Sequence, residues 1–206
     1  MARREIEFAA AAVAVGLLAG LAGAATIVVL HFVEHLTYHY RVGSLLDGVV
    51  GARPVRRAVG PMLGAALAGL GWWLLRRRGP VPGVGEVVSR PGPLPRLAMT
   101  ADAALQTLLV GSGASLGREN APRQFAVVLG DLGLSRWSLT ARDRQILLGC
   151  AAGAGLAAVY SVPVGGALFA LQVVLRTWEL RAVGTALLTS ALAVATASPV
   201  THDQPA

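Results

Sequence analysis

The chain has 206 residues, of which 54% are hydrophobic and only 14% charged, with 25 glycines and a mean hydropathy of +0.60. That balance excludes an ordinary soluble domain and describes a protein whose solvent is largely lipid. The formal net charge of +7 comes with a basic complement that is arginine throughout. These arginines fall between and beside apolar runs, so membrane topology accounts for them and nucleic acid is not an expected partner.

The first apolar stretch, Phe8 to Val33, is long enough to cross a bilayer, and Gly16, Gly20 and Gly23 recur on it at near-helical spacing, which allows close approach to a neighbour. Its length favours a retained helix over a signal peptide, despite the Arg3-Arg4 start. A polar connection from His39 to Arg57 precedes a second apolar run, Ala58 to Leu75, which ends in Trp72-Trp73 and then Arg76-Arg77-Arg78. Tryptophans followed by arginines mark a membrane interface. The two arginine clusters at residues 3–4 and 76–78 are consistent with a shared cytoplasmic side; Arg53, Arg56 and Arg57 argue partly against it.

Between Gly79 and Pro95 prolines and glycines forbid a long helix. Such backbone is tolerated at membrane depth only where protein or a wet cavity surrounds it. A helix is predicted over Leu97–Val110, with Asp102 and Gln106 on one side, and a polar hairpin over Ser135–Arg144 with Trp137 at its edge. Ile146–Leu175 carries no charge but is broken by Pro163 and Gly165-Gly166, which predicts two short helices joined inside the membrane. A last crossing is predicted over Ala182–Val200, followed by a polar tail, 201–206. The single cysteine, Cys150, lies in the apolar run and reads as a packing residue. The fold class expected is an all-α integral membrane protein, with no soluble domain.

The chemistry concentrates at Gly111-Ser-Gly-Ala-Ser-Leu-Gly-Arg-Glu-Asn-Ala-Pro-Arg-Gln124. A glycine-rich loop there turns into a helix, and the free N–H groups and dipole of a helix N-terminus attract anions. Glu119 stands at that start. A buried acid in a membrane-embedded chain is a functional hypothesis by default, while the plainer alternative is a first-turn acid that caps the helix. The loop lacks the Gly-Lys-Ser/Thr ending of a phosphate loop, no catalytic triad is present, and no enzymatic activity or cofactor is expected. His31, Glu34, His35 and His39 share a helical face, but histidines at the end of a membrane helix belong at the wet interface, and no metal site is assigned.

Three segments resemble the CLC family of chloride channels and proton/chloride antiporters. Val81-Pro-Gly-Val-Gly-Glu86 is similar to its Gly-Ser-Gly-Ile-Pro-Glu, and Gly117-Arg-Glu-Asn-Ala-Pro-Arg-Gln124 to its Gly-Arg-Glu-Gly-Pro. Gly153-Ala-Gly-Leu-Ala-Ala-Val-Tyr-Ser-Val-Pro-Val-Gly-Gly-Ala-Leu-Phe169 resembles its Gly-Leu-Ala-Ala-Ala-Phe-Asn-Ala-Pro-Leu-Ala-Gly segment. The resemblance covers about residues 9–198 and corresponds to the N-terminal of the family's two inverted repeats. It implies that residues 1–200 are one transmembrane repeat in the plasma membrane. It also implies chloride or nitrate as permeant ions, and either a homodimer or a partner that supplies the second half. The resemblance places the dimer contacts on the closely packing glycine- and alanine-rich faces of Gly165–Arg176 and Ala182–Val200.

Residue by residue, the resemblance makes Glu119 the gating glutamate, whose carboxylate competes with the anion. It makes Pro82, Gly83, Val84, Arg118 and Asn120 anion-site residues. Pro82 replaces the family's selectivity serine, which puts chloride preference in doubt and resembles members that favour nitrate. Val173 falls where antiporters carry an internal proton glutamate, so passive conduction is expected rather than coupled exchange. A non-conducting fragment or membrane scaffold is the alternative.

Overall fold

The computed structural model describes residues 2–39, 45–90 and 92–201. Helix α1 (Ala2–Tyr38) is followed by a short α2 (Leu45–Gly51) and by α3 (Pro54–Arg76). Then come a six-residue α4 (Val84–Ser89), α5 (Arg96–Gly111), α6 (Asn120–Leu134) and α7 (Ala141–Tyr160). Helix α8 (Pro163–Phe169) runs on as a π-helical turn (Ala170–Leu175), and α9 (Leu180–Thr201) closes the described chain. No strand occurs among the described residues, in keeping with the all-α membrane class. By length and composition α1, α3 and α9 can each cross a membrane. At 37 residues α1 spans roughly 55 Å, enough for a core of about 30 Å even when strongly tilted.

Local chemistry explains the boundaries. Thr140 caps α7 reciprocally: its hydroxyl oxygen accepts from the Asp143 backbone N–H at 3.1 Å and its O–H donates to the Asp143 carboxylate at 2.7 Å. Ser161 ends α7 in the left-handed conformation (φ 54°), and Pro163 opens α8, where its missing N–H has no cost. Arg176, also left-handed, ends the π-helical turn.

The core is built from small residues. On α1, a Cβ at Gly16 would lie 3.1 Å from the Thr189 backbone, and one at Gly20 would lie 2.7 Å from the Ala193 carbonyl oxygen, so α1 and α9 meet backbone to backbone. Gly23 makes room for the Cβ of Ala158 on α7, so the glycine spacing of α1 serves contacts within the chain. A larger cluster of Val15, Met99, Val127, Ile146, Leu147, Leu148 and Leu171 joins α1, α5, α6, α7 and the π-helical turn.

Contacts along the helices fix their directions. Glu5 of α1 and Asp143 of α7 both pair with Arg181 of α9, so these three helices begin at one end of the bundle. Asp131 near the end of α6 meets Arg96 at the start of α5 and Arg144 in the first turn of α7, and Trp72 near the end of α3 meets Asp102 in the first half of α5, which adds the C-termini of α3 and α6 to that end. The opposite end gathers Tyr38, Ser112 and Glu119, with Tyr160 against Glu119.

Four expectations need correction. The polar connection 39–57 contains α2, which its two glycines and length of only about two turns hid from any periodic reading. The polar hairpin stops at Thr140, because the capping threonine draws Ala141–Arg144 into α7. That helix has 20 residues and is not a short half-helix. The alanine-rich face of α9 is buried inside the chain, through Ala182, Ala186, Ala193 and Ala197, which leaves Leu187 and Leu188 as its outward face. The predicted tail lies outside the described residues except for Thr201.

Candidate functional site

Glu119 occupies the N-cap position of α6 with helical backbone angles, and its side chain makes no capping bond. The backbone N–H groups of Glu119, Asn120 and Ala121 are therefore without intrahelical acceptors, while Pro122 brings none. The positive end of the helix dipole and these donors face the same point. Glu119 thus stands at the N-cap position without capping the helix through its side chain.

The carboxylate turns back over the preceding loop. Its Oε1 accepts from the Tyr160 hydroxyl at 3.3 Å, and a Cβ at Gly117 would fall 1.9 Å from its Oε2. Arg118 faces the Tyr160 hydroxyl as well. Arg123 donates from Nε to the Glu119 backbone carbonyl at 2.7 Å and lays its guanidinium 5.0 Å from the centroid of the Phe169 ring. Two motifs far apart in sequence thus meet: Tyr160 and Phe169 of one close on Glu119 and Arg123 of the other. Glu119 itself is exposed, against the expectation of a buried acid. An N-cap residue projects past the helix end, and no described residue roofs it.

Glycine at position 117 is what lets the carboxylate lie there. Gly117→Ala is expected to swing the flexible Glu119 side chain off Tyr160 while leaving the fold intact, since the clashing atom is a side-chain tip. Quenching or chemical-shift change at Tyr160, with an unchanged unfolding midpoint, checks this. A large loss of stability would refute it.

Beneath the site lies a polar network. Asp102 accepts from Trp72 Nε1 at 2.8 Å, Gln106 Nε2 at 2.6 Å and Gln124 Nε2 at 2.9 Å. Asn120 donates its side-chain amide to Gln106 Oε1 at 3.1 Å, so only its backbone N–H faces the helix N-terminus. The network ties α3, α5 and α6 together and fixes the start of α6. Asp102 and Gln106 were visible as one helical face in the sequence; their partners were not.

Pro82, Gly83 and Val84 form the start of α4, with Gly83 at the N-cap and its carbonyl accepting from the Val87 N–H at 3.0 Å. No hydrogen bond or ion pair among the described residues joins them to Glu119. Val173 lies exposed on the π-helical turn, beside exposed Gln172. Of the histidine face, His31 approaches Glu34 at 3.8 Å, and His35 and His39 each place Nδ1 on a backbone carbonyl oxygen. No metal-binding cluster is formed among the described residues.

Residues 64–206 match the protein family described as "Voltage gated chloride channel". The chain is 28% identical over 196 residues to "Voltage-gated ClC-type chloride channel ClcB" from Escherichia coli O139:H28 (strain E24377A / ETEC), covering 93% of this chain and 47% of that protein. The same values hold for the protein of that name from Shigella boydii serotype 18 (strain CDC 3083-94 / BS512). Among solved structures, "X-ray crystal structure of a slow cyanobacterial Cl-/H+ antiporter" superposes with a TM-score of 0.75 at 20% identity, over 94% of this chain and 47% of that one. That likeness establishes the fold. The chain spans about half the length of the curated relatives it matches.

Proposed function

The chain belongs to the voltage gated chloride channel family, and from that premise we propose that it supplies one half of a membrane anion pathway gated by Glu119. The observation that carries this reading is the uncapped N-terminus of α6, with the Glu119 carboxylate standing directly beside it. An anion and an ionised carboxylate compete for the same N–H donors and the same positive dipole end, and protonation turns the competitor neutral. Tyr160 and Gly117 give the carboxylate a resting place off the axis of those donors. Arg118 raises the local concentration of anions at the mouth.

The start of α4 contributes Pro82, Gly83 and Val84 as a second wall. Without a hydroxyl at Pro82 the site offers one direct contact fewer, which supports nitrate alongside chloride. Val173 gives the π-helical turn no titratable group, and a proton route on that side then lacks its donor, so conduction is passive. The other half of the pathway comes from a second repeat, and a homodimer forms through the outward faces of α8 and α9, where Val164, Leu168, Leu187 and Leu188 are exposed. The location is the plasma membrane. Arginines at 76–78, 96, 144 and 181 crowd one end of the bundle, and the positive-inside rule puts that end in the cytoplasm.

The test is anion efflux from liposomes for this chain with and without a co-expressed second repeat. Flux only with the second repeat supports a split pathway, and Glu119→Gln is then expected to raise flux or abolish its pH dependence. Unchanged flux and pH dependence would remove Glu119 from the gate. Absence of flux in both preparations, with insertion confirmed, would instead support a non-conducting assembly partner.

A further inference from the structure

An apolar groove runs between α3 and α5, with a volume of about 650 Å³. Gly71, Leu74, Ala104, Leu105 and Leu108 line its length, and Arg77 and Arg78 close one end. That end is the membrane interface defined by the starts of α1, α5 and α7 and by the Trp72-Trp73 pair. The groove is open to the surroundings: within α3, only 11% of the most apolar stretch is buried. Leu70, Trp73 and Leu74 are exposed beside it.

The charges at its mouth differ from most of the others at that end, Arg4 and Arg136 also lacking a salt bridge among the described residues. Arg90, Arg96, Arg142, Arg144 and Arg181 each form a salt bridge with a carboxylate. Arg76, Arg77 and Arg78 have no carboxylate within salt-bridge distance among the described residues. Arg77 is instead held over the Trp73 ring at 3.7 Å from its centroid, which parks its guanidinium at the groove mouth. The turn that follows is closed by the Arg78 N–H on the Leu75 carbonyl at 3.1 Å and the Gly79 N–H on the Arg76 carbonyl at 3.2 Å, so the three cations are presented from a defined turn.

We propose that this groove is a binding site for an anionic glycerophospholipid, with an acyl chain between α3 and α5, the headgroup phosphate at Arg77 and Arg78, and Arg76 adding its charge from the adjacent position. In a bilayer an apolar groove fills with hydrocarbon, and the unneutralised cations at its polar end select the headgroup by charge. Arginine suits a phosphate particularly well, because its fork matches two oxygens at once.

The test uses the full chain in vesicles, with Trp137→Phe and Trp178→Phe so that emission comes from Trp72 and Trp73. Brominated acyl chains quench on contact. With three arginines near a charged headgroup contributing roughly fivefold each, brominated phosphatidylglycerol is expected to half-quench at a mole fraction about a hundredfold below that of brominated phosphatidylcholine. Arg76→Gln/Arg77→Gln/Arg78→Gln is expected to abolish that preference with unchanged helical circular dichroism. Ala104→Phe, which fills the groove and leaves the arginines, is expected to reduce the depth of quenching by either lipid. Three results would overturn the proposal: equal quenching by both lipids; a preference that survives the triple substitution or is displaced by millimolar inorganic phosphate; or no quenching by either lipid, which would mean that protein covers the groove.

Discussion

Asp131→Ala is expected to lower the stability of the chain by about 3 kcal/mol, the lower end of the range for breaking a buried ion pair. Asp131 is 2% exposed and lies near the end of α6. Its Oδ2 accepts from Arg96 Nε at 2.7 Å and its Oδ1 from Arg144 Nη2. One carboxylate thus ties together the start of α5, the end of α6 and the first turn of α7. Removing it leaves two guanidiniums on the wall of an open pocket of about 440 Å³ without the carboxylate that pairs with both. Both arginines retain exposed surface, which screens their repulsion and sets the effect at the low end. Arg96→Ala and Arg144→Ala are each expected to cost less, because the other arginine still satisfies the acid, and the paired substitutions are expected to be non-additive. The measurement is the thermal unfolding midpoint in detergent. A loss within the roughly 0.5 kcal/mol of an ordinary surface substitution would show that the triad does not hold these helix ends.

Asp131 also shows where sequence reading stopped. A lone acid after an apolar run looks like any interfacial residue, and its partners stand 35 residues before and 13 after it. Glu119 was legible because its signal is local: glycines, then an acid, then a helix. What lay beyond local reach was the company it keeps, since Tyr160 is 41 positions away. Its exposure was also misjudged, because composition reports that a chain sits in lipid but not which side of a helix end a given residue projects from. Helices α1, α3 and α9 could be read from length and hydropathy alone, whereas α2 and α4 are too short to show a period. The small residues of α9 announced close packing correctly but not the partner, which is α1 and α7 of the same chain.

Close packing of that kind yields the other large effect expected, at Gly155. This residue sits where α7 crosses the first turn of α6: a Cβ there would lie 2.5 Å from the Pro122 carbonyl oxygen and 2.6 Å from the Ala126 Cβ. A carbonyl oxygen of a helix cannot rotate aside as a side-chain tip does, so α7 and α6 must separate. Gly155→Ala is expected to cost about 1–2 kcal/mol and Gly155→Val about 3 kcal/mol. Gly69, within α3, provides the control, because a Cβ there meets nothing within 4 Å. Gly69→Ala is expected to be neutral or to gain about 0.5–1 kcal/mol from the unfolded chain's lost freedom. Opposite signs at two helical glycines would show that packing, rather than backbone preference, sets the effect. Because Pro122 lies three residues from Glu119, the same displacement moves the α6 N-terminus away from Tyr160. A Gly155→Ala chain that still inserts is therefore expected to lose the Tyr160–Glu119 contact, read by tyrosine chemical shift. Retention of that contact alongside lost stability would mean that α6 bends locally around the intruding methyl group and that the site is carried by its own loop.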